Sequence, residues 1–165
     1  MHTKKRHFIQ VINESGGIIR SLCKVYYERS EDQEDAFQDI ILQLWKSFET
    51  FGGRSMVSTW IYRVALNTIL NKKRREQKSV SAEPIALSHI DNLVVRADDD
   101  LELLHLIIHS LRDLDKAIVI LYLEGYHHKE IAEILKITPT NVATRFNRLK
   151  ERLKSKFNSN SHATR

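Results

Sequence analysis

The chain has 165 residues, 42% of them hydrophobic, with only two Pro and five Gly. That length suits one ordinary domain or two small ones, and that composition suits a globular, helix-rich chain rather than a disordered one. The net charge of +5 is spread unevenly: residues 1–80 carry 14 Lys/Arg against 9 Asp/Glu, residues 81–110 carry 1 against 6, and residues 111–165 carry 11 against 6. Two basic blocks therefore flank an acidic joint, and each block is suited to meet a polyanion. No run reaches the ~18 apolar residues of a membrane span. The start MHTKKRHF leads into IQVINESGG rather than into the apolar core of a signal peptide. The lone Cys23 excludes an internal disulfide framework and suits a reducing cytosol.

In chain order, Phe8, Ile9, Ile12, Ile19, Leu22 and Val25 follow a helical stripe that Gly16-Gly17 is expected to interrupt. Ser30-Glu31-Asp32-Gln33 matches a capping box, and Phe37, Ile40, Ile41, Leu44, Trp45 and Phe48 then repeat at three and four residues. Gly52-Gly53-Arg54-Ser55 breaks that run, and Ser58 is expected to cap a third helix that packs Ile61, Val64, Ala65, Leu66 and Ile69 inward and ends in Lys72-Lys73-Arg74-Arg75. Residues 78–100, with one of the two prolines and little periodicity, read as an acidic linker.

Beyond it, Leu101, Leu104, Ile107, Ile108 and Leu111 mark one helix, and Ile118, Leu121 and Tyr122 a second, closed by Glu124-Gly125. Ile131, Ala132, Ile134 and Leu135 mark a short third. Thr138 caps a fourth that starts at Pro139 and buries Val142, Phe146, Leu149 and Leu153. No period-two pattern persists. The expected fold is all-α, in two small helical domains joined by a flexible linker.

A short helix, a tight turn and a longer helix form a helix-turn-helix pattern. If the stripe Val142/Phe146/Leu149 is buried, Thr140, Asn141, Thr144, Arg145 and Arg148 lie on or beside the open face. Such a helix fits the major groove, its first turns reaching base edges and later cations reaching phosphates. An ordinary amphipathic helix with a solvated face fits the same spacing, and the Thr-Pro cap and tight turn weigh toward DNA.

In TWIYRVALNTILNKKRR, Trp60 and Tyr62 stand among Arg63, Asn67 and four cations. Aromatic faces that stack on unpaired bases, beside cations that track the backbone, are the means of holding a single strand. Core packing of the same aromatics is the equal alternative. On the preceding helix, Asp35, Gln38, Asp39 and Leu42 share a side away from Phe37/Ile41/Leu44, which suits either a docking face or plain solvated surface.

Metal and catalytic chemistry find little support. His127 and His128 are adjacent and diverge by about 100° on a helix, and His105 and His109 have no Cys pair or HExxH pattern to join. No G-x-S-x-G, P-loop, Cys/His pair or carboxylate dyad is present. A non-enzyme without cofactor or metal is expected.

Taken together, DxEDxxQDxxLxLW from Asp32 to Trp45, the Gly-Gly turn, STWIYRVALN with its basic run, ILYLEGY and EIAEIL resemble the extracytoplasmic-function (ECF) subfamily of bacterial sigma-70 sigma factors over residues 8 to 157. The resemblance implies region two over 1–77, a linker over 78–100 and region four over 101–165. It implies that Asp35, Gln38, Asp39, Leu42 and Trp45 dock on the clamp of the polymerase β′ subunit. It implies that Arg54, Ser55, Met56 and Val57 form the loop that captures a base flipped from the −10 element. Trp60, Arg63, Asn67, Lys72, Lys73 and Arg74 would bind and help open that element. Region four would dock on the β flap and place Thr140, Asn141, Thr144, Arg145 and Arg148 in the −35 major groove. The linker resembles the segment threaded through the polymerase nucleic-acid channels.

The implied partners are core RNA polymerase, promoter DNA and an anti-sigma protein, in the bacterial cytoplasm and on the nucleoid when bound to polymerase, with no membrane insertion. Three departures stand out. Leu111-Arg112 replaces a frequent Leu-Pro; Met56-Val57 differs from the usual loop; and Ala143 replaces a frequent basic residue, which shifts phosphate anchoring to Arg145 and Arg148. The alternative is a conventional helix-turn-helix regulator that does not open promoters.

Overall fold

A computed structural model describes the backbone of residues 2–79 and 100–162 and the side chains of 3–79 and 104–155. All regular elements among the described residues are helices: α1 His2–Tyr26, α2 Ser30–Phe51, α3 Val57–Ser79, α4 Asp100–Ser110, α5 Asp113–Leu123, α6 His128–Leu135 and α7 Pro139–His162. The chain divides into two compact units, Met1–Asp113 and Leu114–Arg165. Apart from its two ends, the linker expected over 78–100 lies outside the described residues.

In the first unit, α1, α2 and α3 pack pairwise on one another. Ile19, Leu22 and Cys23 of α1, Ala36, Ile40 and Leu44 of α2, and Ile61, Ala65, Leu66 and Ile69 of α3 are almost wholly buried. Burial of each large aliphatic side chain is worth about 1.5–3 kcal/mol, which dominates the stability of so small a unit. The expected break at Gly16-Gly17 does not occur, because α1 runs through both glycines. Two interior glycines cost about 1 kcal/mol each relative to Ala, less than the apolar contacts that Phe8 and Val11 on one side and Ile19 and Leu22 on the other make only if the axis stays straight. Ile9, counted in the expected stripe, is 47% exposed; the buried stripe passes through Val11 instead.

Two expected caps also differ. The α2 helix starts at Ser30 itself, after an extended Arg29 that provides no side-chain cap. Gln33 does not close a capping box; its amide nitrogen donates to the carbonyl oxygens of Tyr27 (2.8 Å) and Glu28 (3.4 Å) and fastens the α1–α2 turn. Ser58 lies one residue inside α3 rather than before it, and α3 continues past the basic run to Ser79. Within the same unit the Tyr26 hydroxyl donates to the carbonyl oxygen of Asp113 at 2.8 Å.

The second unit is built on α5, α6 and α7. Ala117, Ile118 and Leu121 of α5, Ile131, Ala132, Ile134 and Leu135 of α6, and Val142 and Leu149 of α7 form its core. Tyr122, expected inside, is 48% exposed and packs at a tilt against His128 and Phe146 at the rim. The α6–α7 turn is set by Lys136, which holds left-handed backbone (φ 56°) at the end of α6. Thr138 then caps α7, its hydroxyl accepting from the Asn141 N–H at 3.1 Å, with Pro139 in the first helical position.

Candidate nucleic-acid and protein interfaces

The α2 helix turns its inner stripe toward α1 and α3 and leaves Asp35, Gln38, Asp39, Leu42 and Trp45 exposed on one arc. Large apolar side chains are conspicuous there: Leu42 is 49% exposed and Trp45 38%. Between α1 and α2 runs a groove of about 500 Å³ whose lining includes Phe8, Ile9, Phe37, Ile41, Leu42 and Trp45. Lys5, Glu34 and Gln38 add its polar groups. Lys4 reaches from α1 over the Trp45 ring, 5.0 Å from its centroid, and pairs with Glu49, whose carboxyl it holds below its usual range. An apolar strip with a charged rim is the composition of a protein contact. Asp39 stands on the other flank of the arc, where its carboxylate takes a 2.9 Å salt bridge from Lys72 of α3.

The turn after α2 is left-handed at Gly52 and Gly53 (φ 52° and 68°), and it lifts Arg54 and Met56 into solvent, Met56 at 74% exposure. Ser55 is half-buried, and Val57, at 38% exposure, opens α3. A flexible thioether beside a cation on an exposed turn offers an apolar surface to a flat ring.

Along α3, the expected stacking platform is absent. Trp60 is 4% exposed and lies stacked on Phe51 (ring centroids 4.7 Å, interplanar 24°), with Phe48 against it; Tyr62 is 6% exposed. The burial of a large apolar surface decides this, because Phe48 and Phe51 fold back over α3 and cover the indole. The four-cation run is likewise not one patch. Lys72 bonds to Asp39, and Lys73 lies over the Tyr27 ring at 4.1 Å. Arg74 and Arg75 are exposed. The open face of α3 is instead a ladder at three- and four-residue spacing, Arg63, Asn67, Asn71 and Arg74, continued by Lys78. Asn67 donates to the Arg63 carbonyl oxygen at 2.6 Å, and the Arg63 Nε is shielded with no hydrogen-bond partner among the described residues. Asn71 is missing from the sequence expectation, although its step of four from Asn67 is visible there.

In the second unit, Thr140, Thr144 and Arg148 are exposed on one face of α7 and Asn141 is half-buried beside them. Asn147 is exposed on the same face and was also missed. Arg145 is corrected. It does not stand on the open face; its Nη1 donates to the Asp115 Oδ1 at 2.9 Å and its Nε to the Asn141 Oδ1 at 2.9 Å. The Asp115 side chain is 3% exposed, so the guanidinium is the counter-charge of a buried carboxylate in the second unit. Arg148, by contrast, is exposed.

His127 precedes α6, where its N–H donates to the Glu130 carboxylate at 2.8 Å, and His128 packs edgewise on Phe146 at 5.2 Å. Among the described residues no group of three or more His, Cys, Asp or Glu is placed to hold a metal. Cys23 is buried, and desolvation pushes its thiol up to about 11. Burial likewise raises Tyr26 and Tyr27 above their ordinary value.

Among the described residues the chain is all-helical, with a helix-turn-helix in one unit and an exposed apolar strip in the other, an arrangement that suits a protein holding DNA and a protein partner together. Two family models match it: Sigma-70 region 2 over residues 11–79 and Sigma-70, region 4 over residues 101–153. The ECF RNA polymerase sigma-E factor of Haemophilus influenzae is 29% identical over 168 residues, with 93% of this chain and 88% of that protein covered. The sigma-E factor of Escherichia coli K12 is 29% identical over 146 residues, with 79% and 76% covered. Among solved structures, the sigma factor RpoE in complex with the anti-sigma factor NepR from Bartonella quintana superposes with TM-score 0.64 at 17% identity, covering 94% of this chain and 96% of that one. CnrH in complex with the cytosolic domain of CnrY superposes with TM-score 0.61 at 19% identity, covering 94% and 90%.

The chain belongs to the sigma-70 family, in its ECF group. It is an alternative sigma factor, a member of a family that is not enzymatic in general. No helix among the described residues is long and apolar enough to cross a membrane.

Proposed function

We propose that this alternative sigma factor divides promoter-directed initiation among three surfaces. Region two spans 1–77 and region four 101–165, with 78–100 as the linker occupying polymerase channels built for RNA. The α2 arc of Asp35, Gln38, Asp39, Leu42 and Trp45 docks on the β′ clamp of core RNA polymerase. The turn Arg54–Val57 takes a flipped −10 base, and Arg63, Asn67, Asn71 and Arg74 follow the separated strand. Trp60 supports that face from beneath. Region four docks on the β flap and lays Thr140, Asn141, Thr144 and Arg148 in the −35 major groove. Lys72 is held by Asp39 in the free protein; when the polymerase takes Asp39, Lys72 is released toward DNA.

The observation that carries this reading is the exposed apolar α2 arc in the same unit as the Arg63–Arg74 ladder, since a regulator that binds duplex alone has no use for half-exposed Leu42 and Trp45. An anti-sigma protein covering the α1–α2 groove fits the same apolar strip, and the two structural relatives named above are each bound to such a partner or to a cytosolic domain. The protein acts in the bacterial cytoplasm, on the nucleoid when polymerase-bound, and its work is binding and strand capture, without catalysis or a cofactor.

The test is run-off transcription from a promoter library with purified chain and bacterial core polymerase. Template-specific transcripts that are lost with Leu42→Asp, which leaves the buried core intact, are expected. A protein that neither co-elutes with core polymerase nor yields transcripts contradicts the proposal.

A further inference from the structure

We propose that Arg145 is a positioning residue that fixes the Asn141 amide with its oxygen toward Arg145 and its Nδ2 donors toward the −35 element, and so sets the base preferred at one position. This rests on the sigma reading of α7 and adds what that reading lacks, the chemistry of one contact. The chain of bonds is short. The buried Asp115 carboxylate of α5 accepts from the Arg145 Nη1 at 2.9 Å, and the Arg145 Nε donates to the Asn141 Oδ1 at 2.9 Å. A guanidinium has donors only, so the amide atom facing it is the oxygen, whichever way the amide is otherwise assigned.

The backbone end of Asn141 is held as well, its N–H bonded to the Thr138 hydroxyl at 3.1 Å. Both ends of the residue are thus fixed in the first turn of α7, the part of a recognition helix that reaches base edges. With Oδ1 turned toward Arg145 and one of its two lone pairs occupied, the Nδ2 donors are the part of the amide left to be offered outward. A free Asn reads adenine through two bonds, accepting from N6 and donating to N7. The tethered one has that oxygen turned to Arg145 and so makes the first bond less readily. It favours edges that present acceptors alone, guanine N7/O6 or thymine O4. Ala143 adds no polar group to that turn.

The experiment selects transcripts from a promoter library randomised through the −35 element, using holoenzyme formed with wild-type chain, Arg145→Lys, Asn141→Ala and the double variant. Lysine keeps the charge pair with Asp115 and therefore the fold, but has no Nε to hold the amide. The expected result is one −35 position where the wild type prefers G or T over A and where Arg145→Lys moves the ratio toward A by about five- to tenfold, the range of a single gained base contact. That shift must vanish in the Asn141→Ala background. Base preferences unchanged in Arg145→Lys overturn the inference, and so does a shift that persists without Asn141, which makes Arg145 itself the reader. A wild-type holoenzyme that selects no −35 motif overturns the sigma reading, and this inference with it.

Discussion

Helices α3 and α7 are both cationic DNA-facing helices on the sequence, and each turns one of its most prominent expected readers inward. On α3 it is Trp60, covered by Phe48 and Phe51; on α7 it is Arg145, bound to Asp115. The two are drawn inward by different forces. An indole needs only apolar surface, which α2 supplies at its C-terminal end, and the gain scales with area. A guanidinium is turned inward only by a buried carboxylate, and its net contribution is small until one partner is removed. What stays open is correspondingly different: a polar ladder of half-buried Arg63 and Asn67 with exposed Asn71 and Arg74 on α3, and a Thr/Asn face followed by Arg148 on α7.

The largest effect separating them is expected from Trp60→Ala, which should cost the first unit about 3–5 kcal/mol, as large-to-small aromatic truncations do. Urea unfolding followed by far-UV circular dichroism would show an early loss of part of the helical signal. Arg145→Met comes next. It removes the guanidinium bonded to the buried Asp115 carboxylate and should cost the second unit about 2–4 kcal/mol, whereas Arg148→Met, exposed, should stay within about 0.5 kcal/mol. Both tryptophans, Trp45 and Trp60, lie in the first unit. Indole fluorescence during urea unfolding should therefore be unmoved by Arg145→Met while the circular dichroism transition shifts, and coincident shifts would mean the units unfold as one.

Alkali should distinguish the units in the same direction. Burial raises the Cys23 thiol from 9.0 to about 11, so the folded first unit keeps a proton that the unfolded chain gives up. Stability from this group is complete below pH 9 and is lost as pH climbs toward 11, on the order of 2–3 kcal/mol for that shift. Cys23→Ala should flatten that part of the fluorescence-detected stability profile. The smallest expected effects are a matched pair. A Cβ at Gly17, inside α1, would meet nothing within 4 Å, so Gly17→Ala should stabilise the first unit by about 0.5–1 kcal/mol. Lys136 holds φ 56°, so Lys136→Gly should stabilise the second unit by up to about 1 kcal/mol. Differential scanning calorimetry on each variant measures both.

Much of this was legible in the sequence because periodicity reports burial directly. The stripe of α6, the Thr138-Pro139 start of α7 and the exposure of Thr140, Thr144, Arg148 and Leu42 follow from three- and four-residue spacing. What spacing does not carry is which distant element comes to rest on a residue. Trp60 sits at the angle of the open face of α3 and is hidden only because Phe51 returns over it. Arg145 is paired across 30 residues of sequence, and Lys72 across 33, with acids that no local window contains. Gly16-Gly17 misled for the reverse reason, since a helix breaker by propensity is overruled by tertiary contacts along α1. Asn71 and Asn147 follow from spacing alone, each lying three or four residues from a polar residue of the same face.

Strand opening is what a sigma factor performs with polymerase and a duplex-binding regulator does not. Permanganate probing of unpaired thymines on a selected promoter measures it. With both chain and core polymerase present, thymines of the −10 region should become reactive, and neither component alone, nor the pair carrying Leu42→Asp, should expose them. Protection of the −35 duplex by the chain alone, with no reactive thymines when core polymerase is added, would contradict it.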